Sequence, residues 1–273
     1  MPPRRLRLDA ELVRRSLARS REHARELIES GCVSVNGHVA AKPATGVTTD
    51  ADLVVRAPAD DPGYASRGGH KLAGALDDFE PHGLSVAGRR CLDAGASTGG
   101  FTDVLLRRGA ARVLAVDVGY GQLVWSLRND DRVEVHDRTN IRHLSPEIVG
   151  EPVDLVVGDL SFISLTMLVD PLIGVTRPDG DLLLMVKPQF EVGKDRLGKG
   201  GVVRDPALWR ESVERVSAAA DTLGWGTVGL TRSKLPGPSG NVEFFLWCRR
   251  GETTLTAADY DAAVSPASER VES

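Results

Sequence analysis

Strands and helices alternate along the chain beyond residue 66, and this order constrains the fold more than any other feature of the sequence. Apolar runs of β-type composition occur at 90–94, 112–116, 133–135, 153–157, 181–186, 226–230 and 242–248. Helical stretches lie between most of these runs. Such alternation is typical of a doubly wound, mainly parallel sheet with helices on both faces. We therefore predict an α/β fold of the Rossmann-like type, which binds its ligands at the carboxyl ends of the strands.

A different pattern precedes this region. Asp9 is predicted to cap a first helix, and a second helix is predicted over 21–30. The pair Asn36-Gly37 between two short apolar runs predicts a β-hairpin with a type I′ turn, and a further strand follows it. These elements predict a small α+β domain over 1–57, a linker over 58–66, a second domain over 67–250 and a flexible acidic tail over 251–273.

The charge of the chain is unevenly distributed. The 273 residues carry a formal net charge of −4, yet the first 25 residues contain eight arginines and only three carboxylates. A basic segment of this kind suits phosphate contacts on structured RNA, although a solvated helix surface is the alternative interpretation.

Cysteine spacing and hydropathy exclude several classes of protein. Cys32, Cys91 and Cys248 lack the spacing of a zinc site or of a disulfide framework, so we expect no metal and a reducing, cytoplasmic environment. The N-terminal arginines are not followed by the apolar stretch of a secretory signal. The longest nearly apolar run, 160–169, is too short to cross a bilayer. We expect a protein without a membrane span that acts as a monomer.

A glycine-rich loop with the sequence DAGASTGG follows the first strand of the predicted sheet. Its glycines allow a tight turn and a close approach to a ligand, and the helix that follows favours an anionic group. The spacing differs from that of nicotinamide and phosphate loops, and Asp93 would repel a pyrophosphate but accept from an amino group. Asp117 ends the second strand, where a carboxylate can hold both hydroxyls of a ribose. A nucleoside joined to an amino acid indicates S-adenosylmethionine; a turn that binds nothing is the alternative.

Four charged residues occupy positions where a ligand of such a sheet would lie. Asp159 follows the strand 153–157, and Lys187 follows the strand 181–186. Because the carboxyl ends of parallel strands meet at one edge, both side chains are predicted to enter one crevice. Glu243 begins the last strand, and Lys71 starts a helix that leads into the sheet. For each residue taken singly, a surface salt bridge is the alternative.

Several of these stretches, in the same order, resemble the TlyA family of ribosomal RNA cytidine 2′-O-methyltransferases. The matching motifs are SRGGHKL, DAGASTGGFT, VDVGYGQL, GDLSFIS, VKPQFEVGK and GPSGNVEFF, together with the N-terminal LRLDAELVRRSLARSREHARELI. The resemblance covers residues 4 to about 250. It implies a catalytic domain similar to the FtsJ-type RNA 2′-O-methyltransferases and an N-terminal RNA-binding domain of the S4 type.

The resemblance also implies roles for individual residues. It places the catalytic tetrad of the family on Lys71, Asp159, Lys187 and Glu243. It implies that S-adenosylmethionine contacts Asp93, Gly95, Ala96, Ser97, Gly99, Gly100, Asp117, Val118, Asn140 and Asp159. The predicted RNA contacts are Arg7, Arg21, Lys42, Arg67 and Phe162. Phe162 would stack on a flipped base, and a core phenylalanine is the alternative.

The residue types suit methyl transfer to a ribose hydroxyl. The oxygen must be aligned with the methyl carbon and must lose its proton. Lys187 can serve as the base only if its pKa falls; a protonated Lys187 would instead stabilise the developing alkoxide. Asp159 is expected to position Lys187, and Glu243 to hold Lys71 or the ribose.

We therefore expect S-adenosylmethionine-dependent 2′-O-methylation of cytidine in the ribosomal RNA of the small subunit, the large subunit or both. A non-catalytic RNA-binding factor in ribosome assembly is the alternative. A membrane-lytic haemolysin, a label that some family members carry, is a weaker alternative because the sequence lacks a membrane segment.

Overall fold

A computed structural model of the chain describes residues 5–18, 21–56 and 62–265, apart from the side chains of Glu22, Glu26 and Pro238. The chain divides into two compact units, Met1–Arg67 and Gly68–Ser273. Residues 58–61 of the predicted linker lie outside the described residues. Each unit has a hydrophobic core of its own.

The first unit combines two short helices with short strands. Its elements are β1 (Leu6–Arg7), α1 (Leu8–Arg14), α2 (Arg21–Glu29), β2 (Val33–Val35), β3 (His38–Val39), β4 (Gly46–Val47) and β5 (Leu53–Val55). The strands pair in the orders β3-β2-β5 and β1-β4. Apolar side chains of both helices and of β2, β4 and β5 form the core, with Leu8, Leu12 and Ile28 almost fully buried. The strands β1 and β4 were not predicted, because a strand of two residues is too short to show an alternation of apolar and polar side chains.

The hairpin between β2 and β3 confirms the predicted turn. Val35 lies opposite His38, and Asn36 and Gly37 between them both have positive φ angles, 49° and 81°. A type I′ turn requires this conformation at both central residues, and Asn followed by Gly adopts it at little cost.

The role predicted for Asp9 as a helix cap is wrong. The N-cap position of α1 belongs to Arg7, and Asp9 lies in the first turn with its side chain buried. Its carboxylate accepts hydrogen bonds from Arg7 at 2.9 Å and from Arg21 at 3.0 Å. These bonds, with that from Arg7 the stronger influence, hold the pKa of Asp9 well below its usual range. The carboxylate is a buried anchor for two arginines.

The second unit contains the predicted doubly wound α/β fold. Within the described residues its sheet has seven strands in the order β11-β12-β10-β9-β6-β7-β8. The strands are β6 (Arg90–Ala94), β7 (Arg112–Val116), β8 (Val133–His136), β9 (Val153–Gly158), β10 (Thr176–Val186), β11 (Trp225–Arg232) and β12 (Phe244–Arg250). The helices are α3 (Gly68–Phe79), α4 (Gly100–Arg107), α5 (Trp125–Arg128), α6 (Pro146–Val149), α7 (Val169–Gly174), α8 (Pro188–Glu191), α9 (Pro206–Asp221) and α10 (Ala257–Val264).

The order of the strands determines where a ligand can bind. From β6 the chain proceeds outward through β7 to β8, and then returns to the other side of β6 to form β9. The connections from β6 and β9 therefore leave in opposite directions, which opens a crevice at their carboxyl ends. Strands β6 to β10 are parallel, whereas β12 runs antiparallel to β10, so Phe244 at the start of β12 lies beside Val186 at the end of β10. The segment just before β12 therefore reaches the same edge.

Both faces of the sheet are buried. In β12, Phe244 and Leu246 belong to the core formed with α7, α9 and α10, while Phe245 and Trp247 contact aromatic rings of α4 and α3. A strand that is buried on both faces reads as a continuous apolar run, as this one does. Burial raises the pKa of the Cys91 and Cys248 thiols to about 12, so neither is a reactive thiolate.

The prediction of a flexible tail from residue 251 is wrong for the residues that the structure describes. Residues 257–264 form α10, which begins with a capping box of Thr256 and Asp259. Tyr260 and Val264 are buried against the core, and the Tyr260 hydroxyl lies 2.8 Å from that of Ser217 in α9. Two apolar residues four positions apart suffice to dock a short helix, although they form too weak a pattern to predict one. Residues 266–273 lie outside the described residues.

In the described part of the chain, no helix is long and apolar enough to span a bilayer.

Candidate active site

The loop after β6 contains three residues with left-handed backbone conformation. Gly95, Ser97 and Gly99 have φ angles of 87°, 48° and 101°. A Cβ atom on Gly95 would lie 2.8 Å from the carbonyl oxygen of Asp159, and one on Gly99 would lie 2.4 Å from Leu127. The backbone conformation favours glycine at both positions, and at Gly95 the backbone of Asp159 also leaves no space for a side chain. The loop contacts the segment after β9 directly.

The carboxylate of Asp117 is held in a fixed orientation at the end of β7. One oxygen accepts from the amide of Ser97 at 2.8 Å, and the other accepts from the amide of Gly119 at 2.7 Å. The first bond ties Asp117 to the glycine loop. Because a carboxylate oxygen can accept more than one hydrogen bond, both oxygens keep acceptor capacity for a ligand.

Asp93, the last residue but one of β6, is a fully buried carboxyl group. Its Oδ2 atom accepts from the Thr102 hydroxyl at 2.7 Å, and its Oδ1 atom is buried without a hydrogen-bond partner. Burial raises the pKa of Asp93 to about 7, against the opposing effect of Thr102. An unpaired buried oxygen of this kind is expensive unless a donor reaches it.

The remaining predicted cofactor residues lie around the same loop and the neighbouring turns. Ala96 is buried and donates its amide to Val116, and Gly100 is the first residue of α4. Val118 is exposed beside Asp117. The Asn140 side chain accepts from the amide of Arg142 and so caps a short turn after β8, while its NH₂ group can still donate.

Two lysine–carboxylate pairs lie at the crevice. Lys71, on α3, is buried, and its Nζ atom is 2.5 Å from Oε2 of Glu243. These residues are 172 positions apart in the chain. Glu243 is also buried and accepts a long hydrogen bond of 3.5 Å from the amide of Gln189. A buried lysine with a hydrogen-bonded carboxylate meets the condition under which burial of both charges is tolerated.

The second pair joins β10 to β9. Lys187 follows β10 and is buried, and its Nζ atom lies 2.5 Å from Oδ1 of Asp159. The same Nζ atom donates to the hydroxyl of Ser161 at 2.9 Å. The ion pair with Asp159 and the hydrogen bond to Ser161 fix the ammonium group, which has three donors and can still donate to a ligand. Ser161 itself is exposed, which places its hydroxyl between the buried amine and solvent.

Phe162 is not a core residue. Its side chain is 92% exposed, and its backbone has a φ angle of 65°, a conformation that a bulky residue rarely adopts. Its ring contacts Phe190 of α8 at a centroid distance of 5.3 Å. The alternative of a core phenylalanine is therefore wrong, and strain combined with exposure is typical of functional positions.

Ser161 and Glu191 support this site but were not predicted as functional residues. Glu191 is buried and accepts from the Ser164 hydroxyl at 2.5 Å and from the Leu165 amide at 2.8 Å. Burial raises its pKa. It thereby anchors the loop that carries Asp159, Ser161 and Phe162. The sequence offered one signal for these two residues: the segments GDLSFIS and VKPQFE each follow a strand at the same edge of the sheet, which suggests that the segments are in contact.

The predicted RNA contacts of the first unit are exposed or half-exposed. Arg7 and Arg21 share the buried carboxylate of Asp9 and still present about half or more of their side chains to solvent. Lys42 is exposed on the turn between β3 and β4. Arg67 is half-buried directly before α3. Glu11 is a second buried carboxylate, and it holds Arg14 and Arg15 in the same manner.

The site fits S-adenosylmethionine. The buried Oδ1 atom of Asp93 needs a donor, which the ammonium group of the cofactor provides. Asp117 keeps the acceptor capacity that ribose hydroxyls require, and the left-handed loop lets the backbone approach a ligand closely. Among the described residues, no group of three or more His, Cys, Asp and Glu side chains could hold a metal ion.

A doubly wound sheet with this loop and this pair of lysines defines an enzyme of the methyltransferase class. The model of the FtsJ-like methyltransferase family matches residues 64–250, and that of the S4 domain matches residues 6–53. The chain belongs to the FtsJ-like methyltransferases and, within them, to the TlyA family.

Several known proteins are similar to the chain over most of its length. The 16S/23S rRNA (cytidine-2′-O)-methyltransferase TlyA of Mycobacterium tuberculosis is 57% identical, with 96% of each chain covered. Hemolysin A of Brachyspira hyodysenteriae is 36% identical over 88% of this chain and 98% of that protein. A solved structure of a candidate hemolysin from Streptococcus thermophilus is 34% identical, with a TM-score of 0.76 and coverage of 96% and 94%.

The raised pKa of Asp93 predicts how its substitution changes stability with pH. Because the folded protein binds this proton more tightly than the unfolded chain does, stability falls as pH rises from about 4 to about 7. Asp93→Asn has no carboxyl group at this position and should not lose stability in this way. The difference in the free energy of unfolding, variant minus wild type, should therefore rise by a few kcal/mol between pH 5 and pH 8, since each pKa unit is worth about 1.4 kcal/mol.

Urea unfolding of both proteins at the two pH values, without cofactor, measures the effect. Other titrating groups contribute equally to both proteins and cancel in the difference. A constant difference between the two free energies of unfolding would contradict the assignment.

Proposed function

We propose that this enzyme transfers the methyl group of S-adenosylmethionine to the 2′-hydroxyl of cytidine in ribosomal RNA. The observation that carries the proposal is the arrangement at one sheet edge of two lysine–carboxylate pairs beside the glycine loop. The relative from Mycobacterium tuberculosis, a 16S/23S rRNA (cytidine-2′-O)-methyltransferase, supports the choice of substrate. A non-catalytic assembly factor would not need two buried lysines, each with a carboxylate partner.

Lys187 acts on the hydroxyl that receives the methyl group. Asp159 forms an ion pair with its Nζ atom, Ser161 accepts a hydrogen bond from it, and the ammonium group retains a donor for the hydroxyl of the target ribose. In this position Lys187 orients the hydroxyl, and it either accepts the proton or stabilises the oxygen as negative charge develops. Alignment of the oxygen with the methyl carbon accounts for a further part of the rate.

Lys71 and Glu243 form the other wall of the crevice. Lys71 contributes positive charge near the phosphate or ribose of the target nucleotide, and Glu243 holds the amine in place. Removal of Glu243 would leave a buried, uncompensated charge, which is more damaging than the loss of a surface pair.

The carboxylates of Asp93 and Asp117 bind the two ends of the cofactor. When bound, S-adenosylmethionine supplies an activated methyl group. Asp93 accepts from its ammonium group, Asp117 accepts from the ribose hydroxyls, and Val118 and Asn140 contact the adenine. Gly95, Ala96, Ser97, Gly99 and Gly100 line the loop beneath it, and Asp159 belongs to both the cofactor site and the catalytic pairs.

Phe162 and the arginines bind RNA. An exposed ring at the rim of the crevice can stack on a base that has been flipped out of its helix, which exposes the target ribose. Arg7, Arg21, Lys42 and Arg67 contact phosphates, so the first unit recognises the shape of the RNA more than its bases. The enzyme works as a monomer in the cytoplasm, where ribosomal subunits assemble.

Lys187→Ala should lower the rate of methyl transfer at least about 100-fold, the range expected on loss of a group that handles a proton. Binding of RNA and of S-adenosylmethionine should change little. Lys187→Arg is the matched variant, because Arg keeps the charge but cannot act as a base.

Transfer of labelled methyl to isolated ribosomal subunits, followed by mapping of the modified ribose, measures both variants. Recovery of activity in the Arg variant would assign a purely electrostatic role to Lys187. An Ala variant that methylates at nearly the wild-type rate would refute the proposed mechanism.

Ser161→Ala should lower kcat about tenfold, because Lys187 loses the hydroxyl that accepts its hydrogen bond and keeps only the ion pair with Asp159. The KM for RNA and the affinity for cofactor should remain within about twofold. Ser161→Thr retains the hydroxyl and should recover most of the rate. Equal losses in the Ala and Thr variants would show that bulk or local folding, not the hydroxyl, is responsible.

Arg21→Glu should weaken RNA binding at least about tenfold, since it removes a phosphate contact and places a second carboxylate beside Asp9. The affinity for S-adenosylmethionine should stay the same. Arg107→Glu, on α4 of the second unit, is the control for charge reversal. Fluorescence anisotropy with labelled RNA measures the effect, and unchanged RNA affinity of the Arg21 variant would exclude this contact.

A further inference from the structure

The segment that follows β7 exposes a cluster of large apolar side chains. Val118, Tyr120 and Trp125 are 67%, 67% and 79% exposed, and they lie within eight consecutive residues. Single exposed apolar residues are common on protein surfaces, but several large ones on one short segment beside a ligand site indicate a binding surface.

Trp125 differs from the other tryptophans of the chain. Of the four in the sequence, Trp209, Trp225 and Trp247 are buried in the second unit. Tyr120, five positions earlier on the same segment, has the Arg138 guanidinium over its ring at 4.4 Å. Within the described ranges, by contrast, neither an aromatic ring nor a guanidinium covers Trp125, so its ring remains open to a partner.

The backbone of Trp125 is nevertheless well fixed, and it is fixed at the catalytic edge. Val124 donates its amide to the carbonyl of Thr98 in the glycine loop at 3.3 Å. On either side of Trp125 the side chains of Leu123 and Leu127 are buried, close against Gly99. The carbonyl of Trp125 accepts from the Asn129 side chain at 2.7 Å. The exposed ring therefore extends from a rigid base beside the loop that holds the cofactor.

The surroundings of this ring suit a nucleic acid. Arg128 lies one helical turn further along α5, and Arg138 and Arg142 follow β8 at the same edge. Arg128 is paired with Asp137, while the other two project beside Tyr120 and Met167. Aromatic side chains between basic ones are the usual platform for unpaired bases, because every base has a face that can stack.

We infer that Trp125 stacks on an unpaired base of the substrate RNA, at a point separate from the target nucleotide. The inference rests on the proposed function, which brings RNA to this edge because the ribose must reach the methyl group. Phe162 follows β9 and Trp125 follows β7, with β6 between these two strands, so the rings occupy opposite sides of the crevice. Two stacking sites explain how RNA recognition can extend beyond the target nucleotide.

Tryptophan fluorescence tests the contact in the intact protein. Because the other three tryptophans are buried, quenching by neutral acrylamide reports mainly on Trp125. Protein-free ribosomal RNA should lower the quenching constant at least about twofold, and S-adenosylmethionine alone should not. RNA that binds in a parallel filter assay but leaves the quenching constant unchanged would overturn the inference and leave the proposed function intact. Failure of the wild type to bind RNA would overturn both.

Substitution of Trp125 provides a second, independent test of the contact. Trp125→Ala should weaken binding to ribosomal subunits about tenfold, whereas Trp125→Phe should retain most of the affinity because the ring can still stack. Leu223→Ala is the matched control, since Leu223 is an exposed apolar residue at the opposite edge of the sheet, just before β11. Cofactor affinity should be unchanged in all three variants.

The pattern of losses separates the alternatives. Loss of cofactor affinity in Trp125→Ala, with unchanged RNA affinity, would show that the ring covers the cofactor and would contradict the inference. Equal RNA affinity of Trp125→Ala and the wild type would contradict it as well. A loss of RNA affinity that Phe restores, with an unfolding midpoint like that of the wild type, would support it.

Discussion

The close approach of Gly95 to Asp159 is the constraint on which the site depends. The two residues follow neighbouring parallel strands whose connections leave in opposite directions, and a Cβ atom on Gly95 would lie 2.8 Å from the carbonyl oxygen of Asp159. This contact joins the two halves of the sheet edge. The loop that can bind the cofactor lies on the side of β6, β7 and β8, and the lysine pairs lie on the side of β9, β10 and β12. A donor and an acceptor of a methyl group can meet only where these halves touch.

Each of the two units contains buried charges that are paired with an opposite charge. Lys71 and Lys187 enter the crevice each with a carboxylate at 2.5 Å, and in the first unit Asp9 and Glu11 are buried beneath arginines. In the catalytic unit the amines are buried and positioned. In the first unit the arrangement is inverted, because the carboxylates are buried and the guanidinium groups stay near the surface. Arginines held in this way have less conformational freedom to lose on binding phosphate, which agrees with the RNA contacts that we propose for them.

Much of the fold was predictable, since its signals are local. The alternation of strands and helices indicated the doubly wound sheet of the second unit, and Asn36-Gly37 indicated the hairpin turn of the first unit. The errors have a common physical origin in contacts between distant residues. Asp9 was predicted to be a cap because its neighbours in the chain suit one, whereas its actual partner Arg21 belongs to another helix. The helix α10 has only two buried apolar residues, and its docking depends on a core built from strands far away in the sequence.

The sequence by itself determined the glycine positions, the alternation of strands and helices along the chain and the residue types at the strand ends, because backbone conformation and hydrophobic periodicity are properties of short segments. It also determined which chemical groups were available for the reaction. Only the tertiary structure decided which lysine pairs with which carboxylate, that Ser161 completes the contacts of Lys187, and that Phe162 and Trp125 are exposed. Pairing and exposure depend on what the folded chain brings within a few ångströms, and residues as distant as Lys71 and Glu243 carry no local signal of that proximity.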